Sequence, residues 1–304
     1  MKQNSIYLEV RNWIYRNARP LDLARWQYHF ENGSATEIIK ALSAYQNEDG
    51  GFGNALEADA WNPKSSPIQT FRAVVLLREI NFIEKEHPVI LGILKYLDSG
   101  ADFNGEYWLN TILSNNDYAH APWWEFDSES KSHNKYNPSV GLAGFVLFFA
   151  DPKSMLYHKC AKLAVEAIEY LNQENEIDMH LLTGYIALME YCEQGGVTKL
   201  FLIQDMKKKL MLLVNENITK DTSVWATSYI CKPSHFFLSP DSIFYCDNKE
   251  IAAYECEYIK TTRNCEGVWN ITWGWAGYPE EWAISKNWWK SNVAIENMIY
   301  LRNF

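Results

Sequence analysis

The chain has 304 residues, of which 47% are hydrophobic and 22% are charged, a balance typical of a globular protein with a sizeable core. Its net charge of −10 disfavours nucleic acid and anionic membrane surfaces as partners, because both require clustered Lys and Arg. No nucleic-acid partner is therefore expected. The aromatic content is unusual: 13 Trp, 18 Tyr and 14 Phe are more rings than helix packing needs.

Nothing in the sequence indicates export or membrane insertion. Residues 1–6 lack the apolar stretch of a signal peptide, and the longest near-apolar run, 141–150, is too short to span a bilayer. The six cysteines show no spacing typical of a disulfide scaffold and are expected to be free thiols. We therefore expect a cytoplasmic protein without a transmembrane segment.

The predicted elements are almost all helices. Two short helices at 5–16 and 21–31 are separated near Pro20, since proline disfavours helix in the residue before it. A helix at 34–46 and an apolar helix at 67–80 follow, each opened by a capping signal. Apolar residues at three- and four-residue spacing predict further helices at 87–98, 138–150, 157–173, 179–193, 200–216, 250–262 and 291–304, with weaker ones at 106–116 and 223–231. Alternating strand patterns are scarce, so we predict an all-α fold.

The connections between these helices differ in length. Long ones at 47–66, 117–137 and 264–290 precede the more apolar helices, whereas connections that follow those helices are short. If the apolar helices form an inner ring, the long loops emerge at one end, which becomes the candidate active face. Most of the tryptophans fall in or beside the long loops: Trp61, Trp108, Trp123, Trp124, Trp269, Trp273, Trp275, Trp282, Trp288 and Trp289. We therefore expect an aromatic cavity whose mouth carries these rings.

A short sequence pattern occurs three times in the chain, and each copy includes an aromatic residue after a glycine. Residues 46–53 read Gln-Asn-Glu-Asp-Gly-Gly-Phe-Gly and precede an apolar helix containing Thr70 and Ala73. This pattern resembles the repeat of the terpenoid cyclase and protein prenyltransferase α/α-toroid superfamily (prenyltransferase and squalene oxidase-type repeats), in which Gln and an aromatic after Gly staple successive hairpins. Residues 104–108 and 265–269 resemble degenerate copies without the Gln. The resemblance implies one (α/α)6-type toroid domain over residues 1–304, with about six helical hairpins.

The chemical motifs of the familiar members of that superfamily are not present. The sequence contains no Asp-x-Asp-Asp acid, no matching Asp, Cys and His zinc set, and no basic cluster that would suit a diphosphate. Nucleotide-binding loops and a Gly-x-Ser-x-Gly elbow are also missing. No metal or other cofactor is expected, and residues 49–51 are interpreted as a structural turn that needs Gly at positive φ.

Two carboxylates lie in the first long loop. Glu57 and Asp59 are close to Trp61, and burial against a ring favours the neutral acid that a proton donor needs. One of them is therefore a candidate general acid or base. The alternative is a structural role, as a helix cap or as an ion-pair partner of Arg72.

The second long loop contains a histidine, two indoles and two carboxylates within residues 117–127. His120 near a carboxylate such as Glu125 suits proton transfer close to neutral pH. Trp123 and Trp124 are candidates for contact with the substrate. The alternative is that His120 is a hydrogen-bonded structural residue.

The third long loop has the densest aromatic sequence. Trp273, Trp275 and Tyr278 are candidate substrate-binding residues, because ring faces stabilise a carbocation and also stack on sugars beside the carboxylates of glycoside cleavage. The alternative is a plug of rings that closes one end of the ring of helices.

Three functions follow from these residues. The leading hypothesis is a cavity enzyme resembling terpenoid cyclases that acts on a hydrophobic isoprenoid by acid–base chemistry. The first alternative is a carbohydrate-active toroid, a glycoside hydrolase or lyase with paired carboxylates. The second is a noncatalytic toroid that binds a hydrophobic ligand or a protein. The expected partner is a small hydrophobic or sugar substrate.

Overall fold

The computed structural model describes residues 2–128 and 135–304. Within these ranges the chain forms eleven α-helices, and β-pairing is limited to isolated bridges. The prediction of an all-α fold is therefore confirmed. The helices are α1 (Lys2–Asn17), α2 (Pro20–Phe30), α3 (Ala35–Ser43), α4 (Pro67–Glu79), α5 (Pro88–Asp98), α6 (Ser139–Phe149), α7 (Met155–Gln173), α8 (Met179–Gln194), α9 (Ile203–Asn217), α10 (Lys249–Thr261) and α11 (Pro279–Asn303).

The two weaker predicted helices do not form. Residues 106–116 make turns that lead into a 3-10 helix at Leu113–Asp117, and 223–231 retains only the end of the 3-10 helix Thr222–Val224. Short polar side chains bind nearby amides in both places and compete with helix. Asn104 Oδ1, for example, accepts from the amides of Glu106 and Tyr107 at 3.0 and 2.9 Å.

The last helix begins earlier than predicted. α11 starts at Pro279 instead of residue 291, so the third long connection is shorter than 264–290. Proline suits the first turn of a helix, and Glu280 and Glu281 in that turn complement the helix dipole. These start signals lie inside a tryptophan-rich run that lacks a clear apolar face, which is why the periodicity did not reveal the helix.

The chain divides into two compact units. The central unit is Ser43–Val214, and the terminal unit combines Met1–Leu42 with Asn215–Phe304. The prediction of one domain over 1–304 concerns independent folding, which this division does not test. It stays a prediction.

The core of the central unit is built around α6. Every residue of this helix is buried, as expected of a helix that is apolar on all sides. It packs against α4, α7 and α8. A Cβ added at Gly144 would lie 2.7 Å from the Leu188 Cα, so a glycine is needed where α6 meets α8.

The terminal unit packs α11 against α1, α2 and α10. Its core contains a buried ion pair: Asp22 accepts from Arg19 Nε at 2.9 Å and from Arg25 Nη1 at 3.1 Å. Arg25 Nη1 also donates to Asn292 Oδ1 at 2.8 Å, which joins α2 to α11. Buried charges are tolerated when they are paired and hydrogen-bonded in this way.

Two further expectations concern membranes and thiols. Among the described helices, none has both the length and the apolar character that crossing a bilayer requires. All six cysteines are unbridged, so the prediction of free thiols is confirmed.

Candidate functional site

The repeat at residues 46–53 is a structural turn. Gln46 Nε2 donates to the Gly50 carbonyl at 2.9 Å and to the Val89 carbonyl of α5 at 3.1 Å. Gly50 has φ of 95°, and a Cβ there would lie 2.1 Å from the Gly92 oxygen. The structural interpretation of this turn is confirmed, since the glutamine fastens the loop to the next helix and only glycine fits.

The two degenerate copies form turns similar to that of the first copy. In the first copy the Asn47 amide donates to the carbonyl four residues later at 2.9 Å, and its carbonyl accepts from the amide three residues later at 2.9 Å. Asn264 repeats both bonds in the third copy, at 2.7 and 3.0 Å. In the second copy the Asn104 amide reaches the carbonyl three residues later at 3.1 Å. All three turns place a glycine at positive φ: Gly50 (95°), Gly105 (104°) and Gly267 (85°).

Each turn delivers a ring to the core. Phe52, Trp108 and Trp269 are 0%, 0% and 4% exposed. The Phe52 amide donates to Thr70 Oγ1 of α4 at 3.1 Å, and the Trp108 amide donates to Ser139 Oγ of α6 at 2.8 Å. A hydroxyl near the start of the following helix therefore fixes the aromatic residue in the first two copies.

For three of the tryptophans, this burial corrects the expectation that they sit at a mouth. Trp108, Trp269 and Trp275 are core residues, at most 5% exposed. Trp282, Trp288 and Trp289 lie on α11 instead of in a loop. The turns use their rings for packing, which sequence alone does not distinguish from substrate contact.

Glu57 and Asp59 lie in a constrained part of the first long loop. Their exposed fractions are 9% and 2%. Just before them, Asn54 and Ala55 both have positive φ, 58° and 59°. Consecutive non-glycine residues in this region are unfavourable, and proteins tend to tolerate such strain at functional sites. The geometry therefore marks this loop as a candidate site.

The Asp59 segment pairs with the second long loop. Ala60 and His120 form an antiparallel bridge. The Trp61 amide donates to the Ala119 carbonyl at 2.9 Å, and the Ala121 amide donates to the Asp59 carbonyl at 2.8 Å. Two segments that carry predicted catalytic residues therefore meet in the structure.

Pleating determines which side chains share a face of this pair. Directly paired residues project to the same side and their neighbours to the other. His120 therefore shares a face with Ala60, whereas Asp59 lies in the turn that the Ala60 amide closes by donating to the Glu57 carbonyl at 3.0 Å. His120 Nδ1 lies 2.6 Å from the Tyr118 carbonyl, which holds the ring against its own segment.

The remaining predicted residues of the second loop are more exposed. Trp123 is 46% exposed, Glu125 is exposed, and Trp124 is half-buried. Asn116 fixes this end of the loop, because it donates to the Phe126 carbonyl at 2.9 Å and accepts from the Phe126 amide at 2.7 Å.

The predicted aromatic residues of the third loop belong to the terminal unit. Trp273 makes edge-to-face contacts with Tyr229 and Trp289, with centroids 5.5 and 5.3 Å apart. A second group consists of Trp275, Tyr278 and Trp282, with centroid distances from Trp275 of 6.4 and 5.5 Å. Such contacts lock the rings into fixed orientations.

Sequence reasoning missed several buried polar residues. Asn62 and Asn115, 1% and 2% exposed, link the two loops of the central unit, and nothing in their local sequence sets them apart from ordinary turn residues. Glu255 in the terminal unit is fully buried and accepts from the amide and the hydroxyl of Ser234 at 2.9 and 2.6 Å. Burial raises the pKa of Glu255 against the opposing effects of Lys232 and Ser234. Glu255 lies at helical spacing from the buried residues Ala252, Cys256 and Ile259 of α10. This spacing is the sequence signal that could have indicated its burial.

Over the described ranges no cluster of three His, Cys, Asp or Glu side chains is arranged to hold a metal ion. Compared with known proteins, the chain matches no family model, no curated protein and no solved structure.

Proposed function

We propose that the chain is an α/α-toroid enzyme resembling terpenoid cyclases, which acts on a hydrophobic isoprenoid by acid–base chemistry with Asp59 as the proton-transferring carboxylate. The observation that carries the proposal is the setting of Asp59. It is 2% exposed, follows the positive-φ residues Asn54 and Ala55 and lies two residues before Trp61. A carboxyl group in this position is shielded from water and held in place by its segment, as proton transfer to a substrate requires.

The repeated turns and the helix packing support the toroid part of the proposal. Three copies share a positive-φ glycine and deliver a ring to the core. In the central unit the apolar helices α4, α6 and α8 pack in sequence order, with α6 touching both of the others. An inner ring of about six hairpins would require this succession of alternate helices.

The other predicted residues receive roles within the same proposal. In the central unit, Glu57 is the alternative acid, and His120 and Glu125 are candidates for the base that accepts the final proton. Trp61, Trp123 and Trp124 would offer ring faces to a developing cation. In the terminal unit, Trp273 and Tyr278 remain candidate substrate-binding residues on the sequence pattern, whereas Trp275 is buried in the core.

The test uses native mass spectrometry and turnover. Protein purified without added ligand is examined for a retained lipid, and a linear polyene such as squalene is then supplied to the wild type, Asp59→Asn and Asp117→Asn. Asp117 is an exposed carboxylate of the second loop and serves as the matched control. General acid catalysis is worth about 10²–10⁴-fold, so Asp59→Asn should lose at least about 100-fold in rate while Asp117→Asn retains turnover.

Thermal unfolding of each variant separates loss of chemistry from loss of fold. Full turnover by a folded Asp59→Asn protein would remove Asp59 from the mechanism. A wild type that neither retains nor converts an isoprenoid would contradict the substrate class.

A carbohydrate-active toroid is the second candidate, and one observation favours it. Glu125 is exposed two residues from Trp123, whose indole is 46% exposed, a combination that suits stacking on a sugar beside a carboxylate. Paired carboxylates of glycosidases lie about 5–10 Å apart. A retained oligosaccharide, together with loss of its hydrolysis in Glu125→Gln, would favour this candidate over the first.

A further inference from the structure

Two buried amide side chains connect the segments that carry the proposed catalytic residues. Asn62 Nδ2 donates to Asn115 Oδ1 at 3.0 Å and to Ser114 Oγ at 2.8 Å. Asn62 lies three residues after Asp59, and Asn115 lies five residues before His120. The amide pair therefore lies just outside the bridged residues on both segments.

Each asparagine is also fixed within its own segment. Asn115 Nδ2 donates to the Trp124 carbonyl at 2.9 Å, across the loop that contains His120. The main-chain carbonyl of Asn62 accepts from the Asn54 amide at 3.0 Å and from Gln69 Nε2 of α4 at 3.1 Å. The pair thus ties the strained turn and the start of α4 to the far end of the second loop.

The bridge between the two segments is short. It is isolated, with one hydrogen bond on each side of the Ala60 and His120 positions. A slip of one segment along the other would break both of these hydrogen bonds and move Asp59 relative to residues 119–121. The Asn62–Asn115 pair restrains such a slip from outside the bridge.

We infer that the Asn62–Asn115 amide pair is a positioning device that sets the register between residues 59–61 and 119–121, and with it the directions of Asp59 and His120. Calling these two groups catalytic rests on the proposed function, but the register does not. Both asparagines are positioning residues, because they act through the segments that they connect.

The chain offers a matched control in Asn116. It is exposed and adjacent to Asn115, and it also makes two hydrogen bonds across the second loop, both to Phe126. These two bonds do not reach the Asp59 segment. Asn116→Ala therefore loosens the loop without touching the amide pair.

The experiment compares Asn62→Ala, Asn115→Ala, the double variant and Asn116→Ala in the full chain by NMR. The first readout is hydrogen exchange of the Trp61 and Ala121 amides, which donate the two hydrogen bonds of the bridge. The second is the ¹⁵N shift of His120 Nδ1, a spectroscopic signature of its contact with the Tyr118 carbonyl. Neither readout requires a substrate.

We expect Asn62→Ala and Asn115→Ala each to speed exchange of both amides by about tenfold or more, to change the His120 shift, and to leave exchange in α6 and α8 unaltered. Exchange at the bridge in the double variant should be close to that in the single variants, because each single variant already removes the hydrogen bond between Asn62 and Asn115. Asn116→Ala should leave the bridge amides and the His120 shift as in the wild type.

Unchanged exchange at Trp61 and Ala121, or an equal acceleration throughout α6 and α8, would overturn the inference. If Asn115→Ala does not fold, Ser114→Ala removes only the second acceptor of Asn62, and it should produce a smaller change of the same kind. Failure of the proposed function would show differently: Asp59→Asn would retain turnover while the amide pair still controlled exchange at the bridge.

Discussion

At Gly50 the backbone leaves no room for a side chain. The residue combines a φ of 95° with a distance of 2.1 Å between an ideal Cβ and the Gly92 oxygen. Gly100 has a comparable φ of 74°, but nothing lies within 4 Å of its added Cβ. A side chain at Gly100 would therefore cause backbone strain alone, whereas a side chain at Gly50 would cause both backbone strain and a steric clash.

We expect Gly50→Ala to lower the free energy of unfolding by more than Gly100→Ala does. Left-handed backbone costs an alanine about 1–2 kcal/mol, and both variants carry this cost. Gly50→Ala must also push α5 away from the loop, which adds to it. Urea unfolding of the two variants measures the difference, and equal losses would mean that the close approach to Gly92 relaxes freely.

Asp59 illustrates what a single residue does and does not reveal before the structure is known. Its position near Trp61 made it a candidate, and this proximity is visible in the local sequence. Its burial and its pairing with the second loop depend on residues about sixty positions away. Composition around Asp59 cannot specify either one.

At the scale of elements, one carboxylate joins the first two helices. Glu31, at the end of α2, accepts from four donors: Tyr15 Oη at 2.5 Å, Arg11 Nε at 2.7 Å, Trp26 Nε1 at 3.1 Å and Tyr7 Oη at 3.3 Å. Burial by itself raises the pKa of Glu31, but the hydrogen bonds from Tyr15, Trp26 and Arg11 outweigh it and lower the pKa below its ordinary value of 4.5.

A lowered pKa means that ionised Glu31 stabilises the fold. This contribution is present above the pKa of the unfolded chain, near 4.5, and is lost as the pH falls through the lower pKa of the folded state. Glu31→Gln should therefore reduce the free energy of unfolding at pH 7 by about 1–3 kcal/mol, and its difference from the wild type should shrink in acid.

The measurement is urea unfolding of Glu31→Gln between pH 7 and pH 3. Glu216, an exposed residue of the terminal unit, provides the control variant Glu216→Gln, which should follow the wild type throughout. If the difference in free energy of unfolding between Glu31→Gln and the wild type stays constant in acid, the loss does not depend on the charge of Glu31.

The helices themselves show how far local patterns reach. The predicted starts near Pro20 and after Ser66 were confirmed, and the Ser66 side chain accepts from the Gln69 amide at 3.2 Å. Both signals act within one turn. The helix from Pro279 was missed because its tryptophans are distributed around the axis, which removes the apolar face that periodicity detects.

At the scale of the whole molecule, the division into two units follows helices and not loops. The boundary at residues 42–43 falls at the last residue of α3, and the boundary at 214–215 lies inside α9. Domain boundaries normally fall in flexible linkers where few contacts cross. A helix that continues through a boundary gives no such linker.

We therefore expect the two units to unfold in one cooperative transition. Urea titration followed by pulsed hydrogen exchange of peptides from each unit should give coincident midpoints, and Gly50→Ala in the central unit should shift both midpoints equally. Separate midpoints, with only the central one shifted by Gly50→Ala, would show two independently folding domains in place of the single one predicted.

The sequence by itself determined the all-α class, most helix positions and the positive-φ glycine of the repeated turns. Each depends on interactions within a few residues, such as apolar spacing, proline, caps and the φ demanded by a tight turn. Only the tertiary structure decided that Trp108, Trp269 and Trp275 belong to the core, that the Asp59 segment pairs with residues 119–121, and that Asn62 meets Asn115. These depend on contacts between residues far apart in the chain, and a buried amide or ring in such a contact has the same local sequence as an exposed one.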